Sequence, residues 1–357
     1  MTHAETVEAL KLETPDELSD LFSRAYAEKL RSCGKGVAIR GLVEAGNLCA
    51  KDCLYCGIRK SNAEVRRYSL SLEEIVAGAE ECKRLGYASI VIQSGEIESE
   101  THTRFIEQVL EEIAPMKLGV TLSLGEQTEE VYGRWRAAGA TRYLLRIETS
   151  NPELYAKIHP ADCSWKRRVE CLRALRRCDY QVGTGVMCGL PFQTYDDLAR
   201  DIEFYHEIDA DMIGMGPYIK AVNTPLGEIE NGEWKIENIG DREGRLCLGL
   251  KMIAATRLYL GNVNIAAATA LQALADDGRE RGVMAGANVI MPNVTEVKYR
   301  RSYQLYSGKP CLDENASMCR SCLDRRLAAI GEHILYGEFG DSRHYCANGI
   351  RNGIKRI

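Results

Sequence analysis

Short apolar runs of strand length alternate with amphipathic helices eight times along this chain, and that alternation leaves few folds open. The strand candidates are residues 37–44, 89–94, 119–124, 141–148, 181–188, 212–218, 262–268 and 287–292. Helix signals fall between them. Ser71 with Glu74 opens a helix that stops near Gly86, Thr128 opens one that stops near Gly139, and Asn151-Pro152 and Thr194 with Asp197 open two more. Eight strand-helix units are an α/β pattern and predict a (β/α)8 TIM barrel, in which functional groups gather at the C-terminal ends of the strands. Ahead of the first strand, Thr14-Pro15-Asp16-Glu17 is a capping box with proline at the first helical position. It opens a helix toward Gly34, read as a cap on the barrel's closed end. The expected organisation is an N-terminal helical cap over 1–36, the barrel over 37–305 and a C-terminal extension over 306–357. The polar, Gly/Asn-rich stretch 227–245 reads as an insertion.

The first strand candidate runs into Asn47-Leu48-Cys49-Ala50-Lys51-Asp52-Cys53-Leu54-Tyr55-Cys56-Gly57, a C-x3-C-x2-C loop where a barrel carries its chemistry. Three thiolates are one short of the four protein ligands of a 4Fe-4S cluster, so one iron is left open to an outside chelator. Zinc sites favour paired C-x2-C units with a fourth ligand close by; here Ile58, Arg59 and Lys60 follow, and the next histidine is His102. The pattern, with Tyr55 before its last cysteine, resembles the radical S-adenosylmethionine (SAM) superfamily. In that superfamily SAM's amino and carboxylate groups bind the open iron, and an electron splits SAM into methionine and a 5′-deoxyadenosyl radical. Cys49, Cys53 and Cys56 are therefore the candidate catalytic metal ligands.

Polar motifs at later strand ends extend the site. In Gln93-Ser94-Gly95-Glu96 a glycine lets the backbone approach a ligand and a carboxylate can accept from an ammonium group. The motif resembles the superfamily's Gly-Gly-Glu, which holds SAM's amino group. Arg146 and Glu148 share a face by the period-two alternation of a strand. Charges inside a barrel are costly unless paired or ligand-bound, so the two read as polar ligand recognition, with a structural ion pair as the alternative. Arg168 is the candidate for SAM's carboxylate, through a bidentate contact, although its sequence context equally suits a solvated helix residue. Glycine density in Gly183-Thr184-Gly185-Val186-Met187-Cys188-Gly189 signals close approach of the backbone to something bound, and resembles the glycine-rich strand beside SAM's adenine. Gly214-Met215-Gly216-Pro217, Thr269 and Met291-Pro292-Asn293 line the rest of the cavity, with Met212 and Met291 read as core filler.

Near the C-terminus, Cys311, Cys319 and Cys322 form C-x7-C-x2-C. This suits a second iron-sulfur cluster, with water or Cys346 completing it. Cys82, Cys171 and Cys178, in helices, read as small buried hydrophobes. Fourteen cysteines without an export signal argue for reduced thiols and metal ligands over a disulfide framework. Residues 1–11 are polar and acidic, and no apolar run approaches membrane-helix length, so a soluble, cytoplasmic protein is expected. A net charge of −5, from 46 basic and 51 acidic residues without blocks of one sign, argues against nucleic acid as a partner.

Beyond the superfamily, the runs Arg40-Gly41-Leu42-Val43-Glu44, Cys53-Leu54-Tyr55-Cys56-Gly57-Ile58-Arg59, Thr121-Leu122-Ser123-Leu124-Gly125-Glu126, Arg142-Tyr143-Leu144-Leu145-Arg146 and Gly286-Ala287-Asn288-Val289-Ile290-Met291-Pro292-Asn293, with the C-terminal cysteines, resemble the HydE family of FeFe-hydrogenase maturases. The resemblance covers almost the whole chain. It implies a full barrel, a SAM-binding 4Fe-4S cluster on Cys49, Cys53 and Cys56, and SAM contacts from Tyr55, Ser123, Glu148 and Arg168. An accessory cluster, 2Fe-2S or 4Fe-4S and dispensable for activity, is implied at Cys311, Cys319 and Cys322. The implied task is to process a cysteine-bound Fe(CO)2(CN) unit, made by the partner maturase HydG, toward the diiron subcluster of the hydrogenase. HydF and an electron donor are further implied partners. Many family members have histidine where this chain has Ile147, a Pro-His-Pro-Asp-Thr-Pro run where it has Lys220-Ala221-Val222-Asn223-Thr224-Pro225, and paired threonines where it has Ala268-Thr269. These departures leave open a paralogue, resembling methylornithine synthase or biotin synthase, that rearranges or sulfurates another small amino-acid or thiol substrate. A non-catalytic iron-sulfur carrier is a third reading, and it gives Arg146, Glu148 and the glycine-rich strand no purpose.

Overall fold

Each of the eight apolar runs forms parallel strand in the computed structural model, which describes residues 1–229, 233–237 and 239–351 and the side chains of these up to residue 348. The first run is split by Arg40 into β1 (Gly36–Ile39) and β2 (Gly41–Gly46). Then follow β3 (Ser89–Ser94), β4 (Gly119–Ser123), β5 (Ala140–Leu144), β6 (Gln181–Thr184), β7 (Met187–Cys188), β8 (Met212–Ile213), β9 (Gly216–Pro217), β10 (Asn264–Ile265) and β11 (Val289–Ile290). Neighbouring strands pair in parallel from β2 through β3, β4, β5, β6 and β8 to β10. The ring is completed by β11: Ala267 N–H donates to Val289 O at 2.9 Å on one side, and Ala38 N–H donates to Asn288 O at 2.9 Å on the other. The result is the expected (β/α)8 barrel.

Two expected strands are broken for one shared reason. Expected strand 141–148 stops as regular strand at Leu144, and Glu148, at φ 66°, resumes the parallel pairing as an isolated bridge to Val186, the residue that links β6 to β7. Its N–H donates to Gly185 O at 3.0 Å and its carbonyl accepts from Met187 N–H at 3.1 Å. Meanwhile a Cβ at Gly185 would overlap the Gly214 carbonyl, so this glycine lets the neighbouring strand approach.

The helices are α1 (His3–Lys11), α2 (Pro15–Ser32), α3 (Leu72–Arg84), α4 (Glu100–Ile113), α5 (Glu129–Ala137), α6 (Pro152–Ile158), α7 (Trp165–Arg177), α8 (Tyr195–Glu207), α9 (Arg242–Leu260), α10 (Thr269–Leu274) and α11 (Gly278–Met284). Capping boxes open α2 at Thr14, α3 at Ser71 and α8 at Thr194, as their sequences require. In the 227–245 stretch residues 230–232 and 238 lie outside the described residues, and α9 begins at Arg242.

Both α1 and α2 pack on the flank, against α8, α9 and α11, so they do not cap the closed end as expected. That end is filled from the C-terminal segment, which also carries α12 (Val297–Arg300), α13 (Ala316–Ala329), β12 (His333–Ile334) and α14 (Arg343–Arg351). Strand β12 pairs with β1, and residues 339–342 then enter the barrel base. The reason is electrostatic. Arg40 and Arg142 are each 1 % exposed inside the barrel and need acceptors there. Arg142 donates to Phe339 O at 2.8 Å and pairs with Asp341, while Arg40 donates to Gly340 O at 3.1 Å.

Candidate active site

The cysteine loop leaves β2 at the open end of the barrel and is folded by its own polar side chains. Arg67 donates to the carbonyls of Asn47 (2.7 Å), Ile58 (2.8 Å) and Asn62 (3.1 Å), closing the loop from beneath. Asp52 and Arg59 form a two-point ion pair at 2.8 and 2.7 Å. Against the loop lies the Gln93-Ser94-Gly95-Glu96 turn: Ala50 N–H donates to Glu96 O at 2.8 Å, and Glu96 N–H donates to Cys49 Sγ at 3.3 Å. A Cβ at Gly95 would overlap the Leu48 carbonyl and the Cys49 side chain, so this glycine allows the two loops to touch.

Cys49, Cys53 and Cys56 are all free and half-buried. Burial raises all three thiols, Cys56 to about 12, so a neutral apo loop is favoured until a cationic metal centre compensates. Among the described residues, the three sulfurs do not form a group within 4.8 Å of one another, the spacing of ligands round a single ion.

Around the loop the sequence candidates converge. Arg146 and Glu148 form an ion pair at 2.9 Å, and Arg146 also donates to Val186 O at 2.8 Å. Arg168 is 7 % exposed, which excludes the solvated-helix reading; it donates to Glu126 Oε1 at 2.6 Å and to Arg146 O at 3.0 Å. Glu96 faces Lys51 at 3.3 Å and Arg168 at 3.9 Å. Burial raises both Glu96 and Glu148 above the usual carboxylate range. Glu96 Oε1 is held by the Lys51 ion pair and Glu148 Oε2 by the Arg146 ion pair, while Arg146 Nε is buried without a hydrogen-bond partner. These buried charges of both signs suit the ammonium and carboxylate of an amino acid.

The remaining candidates divide. Gln93 and Ser123 are register neighbours on β3 and β4, with Glu44 beside Gln93 on β2, so they form one layer at the strand ends. Ser94 turns its hydroxyl onto Gly95 O at 2.7 Å. Met187 and Tyr55 meet in a small apolar cluster with Leu154, Ile158, Leu190 and Tyr218. Of the three departures, Ile147 is fully buried in the main core and Ala221 is also buried. Ala268 is half-buried.

Sequence reasoning missed two groups. Glu126 takes Arg168 and, at 3.0 Å, Arg167, which makes it the anion that holds α7 to the mouth. His159, 3 % exposed, accepts from the Tyr55 hydroxyl. Glu126 lies three residues past β4 and His159 one residue past α6, and neither position by itself names its partner.

At the C-terminus, Cys311 and Cys319 lie together with Glu314, their ligand atoms within 4.8 Å of one another. A hydrogen bond from Cys319 holds the Cys311 thiol below the usual range. Cys322 lines the same cleft as Thr269, Met291 and Asn293. Cys346, expected as a possible fourth ligand, belongs to α14 at the opposite end of the barrel, where Ser342 binds Gln181. It cannot serve this site.

Residues 43–205 match the radical SAM superfamily. The chain is 41% identical over 324 residues to the [FeFe] hydrogenase maturase subunit HydE of Thermotoga maritima, covering 91% of this chain and 89% of that one. It is 26% identical to 3-methylornithine synthase of Methanosarcina acetivorans, over 79% of this chain and 76% of that one. Among solved structures, methylornithine synthase superposes with a TM-score of 0.78 at 22% identity, covering 98% of this chain and 96% of that one. HydG of Carboxydothermus hydrogenoformans gives 0.78 at 19%, over 97% of this chain and 79% of that one, and shares the fold. No helix among the described residues is long and apolar enough to cross a membrane. The chain is a radical SAM enzyme and belongs to the HydE family of [FeFe]-hydrogenase maturases.

Proposed function

We propose that this enzyme acts in assembly of the diiron subcluster of FeFe-hydrogenase, on a cysteine-bound Fe(CO)2(CN) unit supplied by HydG, with the product passed on to HydF. The observation that carries the reading is the juxtaposition of a three-thiol loop with the buried Lys51–Glu96 and Arg146–Glu148 ion pairs. When bound, a 4Fe-4S cluster on Cys49, Cys53 and Cys56 supplies the electron that splits SAM into methionine and a 5′-deoxyadenosyl radical, which acts on the substrate's sulfur. Glu96 and Glu148 accept from the amino group of SAM, and Arg146 and Arg168 face its carboxylate with a forked donor. Ser123 and Gln93 line the same layer, and Met187 with Tyr55 offers an apolar flank for the adenine. Burial around these groups excludes water from a reactive radical.

A second reading is a HydE-type paralogue that rearranges or sulfurates another amino-acid or thiol substrate, favoured by the apolar residues Ile147, Ala221 and Ala268. Adding the reconstituted protein, a strong reductant and SAM to a maturation mixture that lacks HydE separates the two. Hydrogen evolution supports the maturase reading. Formation of 5′-deoxyadenosine without active hydrogenase favours the paralogue, and absence of 5′-deoxyadenosine would overturn both readings.

A further inference from the structure

We infer that Asp201, on α8 and outside the barrel mouth, is a positioning residue for Glu148: it holds the chain just after Glu148 and so sets where that side chain points. The inference rests on the reading that Glu148 accepts from the amino group of SAM.

Glu148 needs such a hold. At φ 66° it occupies the left-handed region, which a residue with a side chain adopts only where its surroundings impose it. On the sheet side its N–H and its carbonyl are bonded to Gly185 O and Met187 N–H at 3.0 and 3.1 Å. On the other side the chain leaves the sheet for α6, and there α8 takes hold of it. Ser150 N–H donates to Asp201 Oδ1 at 2.6 Å, and the Asn151 side-chain amide donates to Asp197 Oδ1 at 2.7 Å. Asp197 and Asp201 stand one helical turn apart, so a single face of α8 holds two consecutive residues of the turn.

The two aspartates are not equivalent. Asp197 also closes the capping box of α8, accepting from Thr194 N–H at 2.8 Å, so the helix alone requires it. Asp201 lies past that box and is fully buried, and the charged groups that act on it most, Asp197 and Glu148, are themselves acidic. A carboxyl buried without a cation is unfavourable, and burial raises this one to about 7. The backbone donor it binds is the Ser150 N–H, two residues from Glu148. An acceptor at this place has a use in the mouth that it does not have in α8.

Equilibrium dialysis of SAM against the full-length protein tests the assignment, with the N-terminal cluster reconstituted anaerobically and left unreduced so that SAM stays intact. Asp201→Ala should weaken SAM binding by about tenfold or more, the factor that a displaced charge-assisted hydrogen bond is worth. Asp201→Asn keeps an acceptor for the Ser150 N–H and should recover most of that loss. In a Glu148→Gln background Asp201→Ala should add less than about twofold, because two residues that act through one contact are not additive. Iron at the N-terminal site and the melting temperature of the cluster-free protein are measured alongside. Where Asp201→Ala fails to fold, Asp201→Leu, which fills the same space without an acceptor, takes its place. Wild-type SAM affinity in the folded Asp201 variant, beside a weakened Glu148→Gln, would overturn the inference alone. So would equal losses from Asp201→Ala in the wild-type and Glu148→Gln backgrounds, or a parallel loss of iron, either of which marks a general structural role. Wild-type affinity in Glu148→Gln would overturn the SAM role of Glu148, and this inference with it.

Discussion

The Tyr55 hydroxyl donates to Nε2 of His159 at 3.2 Å, across 104 residues of sequence, and this bond ties the cysteine loop to the end of α6. The tautomer is fixed by the other ring nitrogen: Nδ1 lies 3.0 Å from the Tyr155 carbonyl, which can only accept, so Nδ1 carries the proton. Burial, reinforced by Arg168, lowers His159 to about 3 and keeps it neutral. The ring also stacks on Tyr155 at 3.8 Å. Replacing His159 by Phe keeps the stack and orphans the buried Tyr55 hydroxyl, at a cost of about 1–3 kcal/mol. Lower iron retention and slower formation of 5′-deoxyadenosine are expected, with His159→Gln intermediate. Equal iron content and rate in His159→Phe and wild type would refute this role.

Replacing Cys53 by Ala leaves two thiolates for the cluster. Iron content of the N-terminal site and formation of 5′-deoxyadenosine should both be lost. Retained SAM cleavage would remove the loop from the chemistry.

Arg168 and Arg167 are sequence neighbours with opposite expected costs. Arg168 is buried among Glu126, Glu96 and the Arg146 carbonyl, so Arg168→Met leaves buried carboxylates unpaired and should destabilise by about 3–5 kcal/mol. Arg167 has 46% of its side chain exposed, and Arg167→Gln should cost under about 1 kcal/mol. Denaturant unfolding of the two variants compares them. Similar losses would mean that Glu126, not burial of Arg168, dominates the network.

His344 and Asp209 give a pH signature at the closed end, where their side chains meet at 2.6 Å. The hydrogen bond to Asp209 raises His344 above its usual 6.5. A raised histidine contributes stability fully below pH 6.5, and the contribution is lost as pH rises through the folded value. Melting temperatures should therefore fall between pH 6.5 and 8 more steeply in wild type than in His344→Gln. Parallel curves for the two proteins would assign the slope to other groups.

How much of this was legible in sequence follows from the range of the interactions. Barrel strands are buried on both faces, so they read as apolar runs, and β3 was located to the residue because Gly86 and the capped α4 bound it. The ends at Leu144 and Thr184 were not, because the ladder resumes past them only as the bridge between Glu148, at positive φ, and Val186, a pairing of distant segments. The cysteine loop was legible because few uses exist for three close thiols. His159 and Glu126 were not, since their roles depend on partners brought close only by the fold. The plug at the closed end was hidden for the same reason: residues 339–342 carry no apolar pattern and are held by Arg40 and Arg142.

The same glycine-to-alanine change should have opposite effects at two positions. At Gly133, on α5, an added Cβ meets nothing within 4 Å, so Gly133→Ala removes only the backbone entropy penalty of glycine in a helix and should stabilise by about 0.5–1 kcal/mol. At Gly95 the added Cβ meets the Leu48 carbonyl and the Cys49 Cβ, neither of which is the free end of a flexible side chain. The cysteine loop must then move off the Glu96 turn, breaking the Ala50-to-Glu96 bond of 2.8 Å and the Glu96-to-Cys49 bond of 3.3 Å. Displacing Cys49 spoils the geometry of the ligand set, while the rest of the barrel is untouched. Gly95→Ala should therefore fold and melt near the wild-type temperature yet retain little iron at the N-terminal site after reconstitution and form little 5′-deoxyadenosine. Wild-type iron content in Gly95→Ala would show that the two loops need not touch for the cluster to be held.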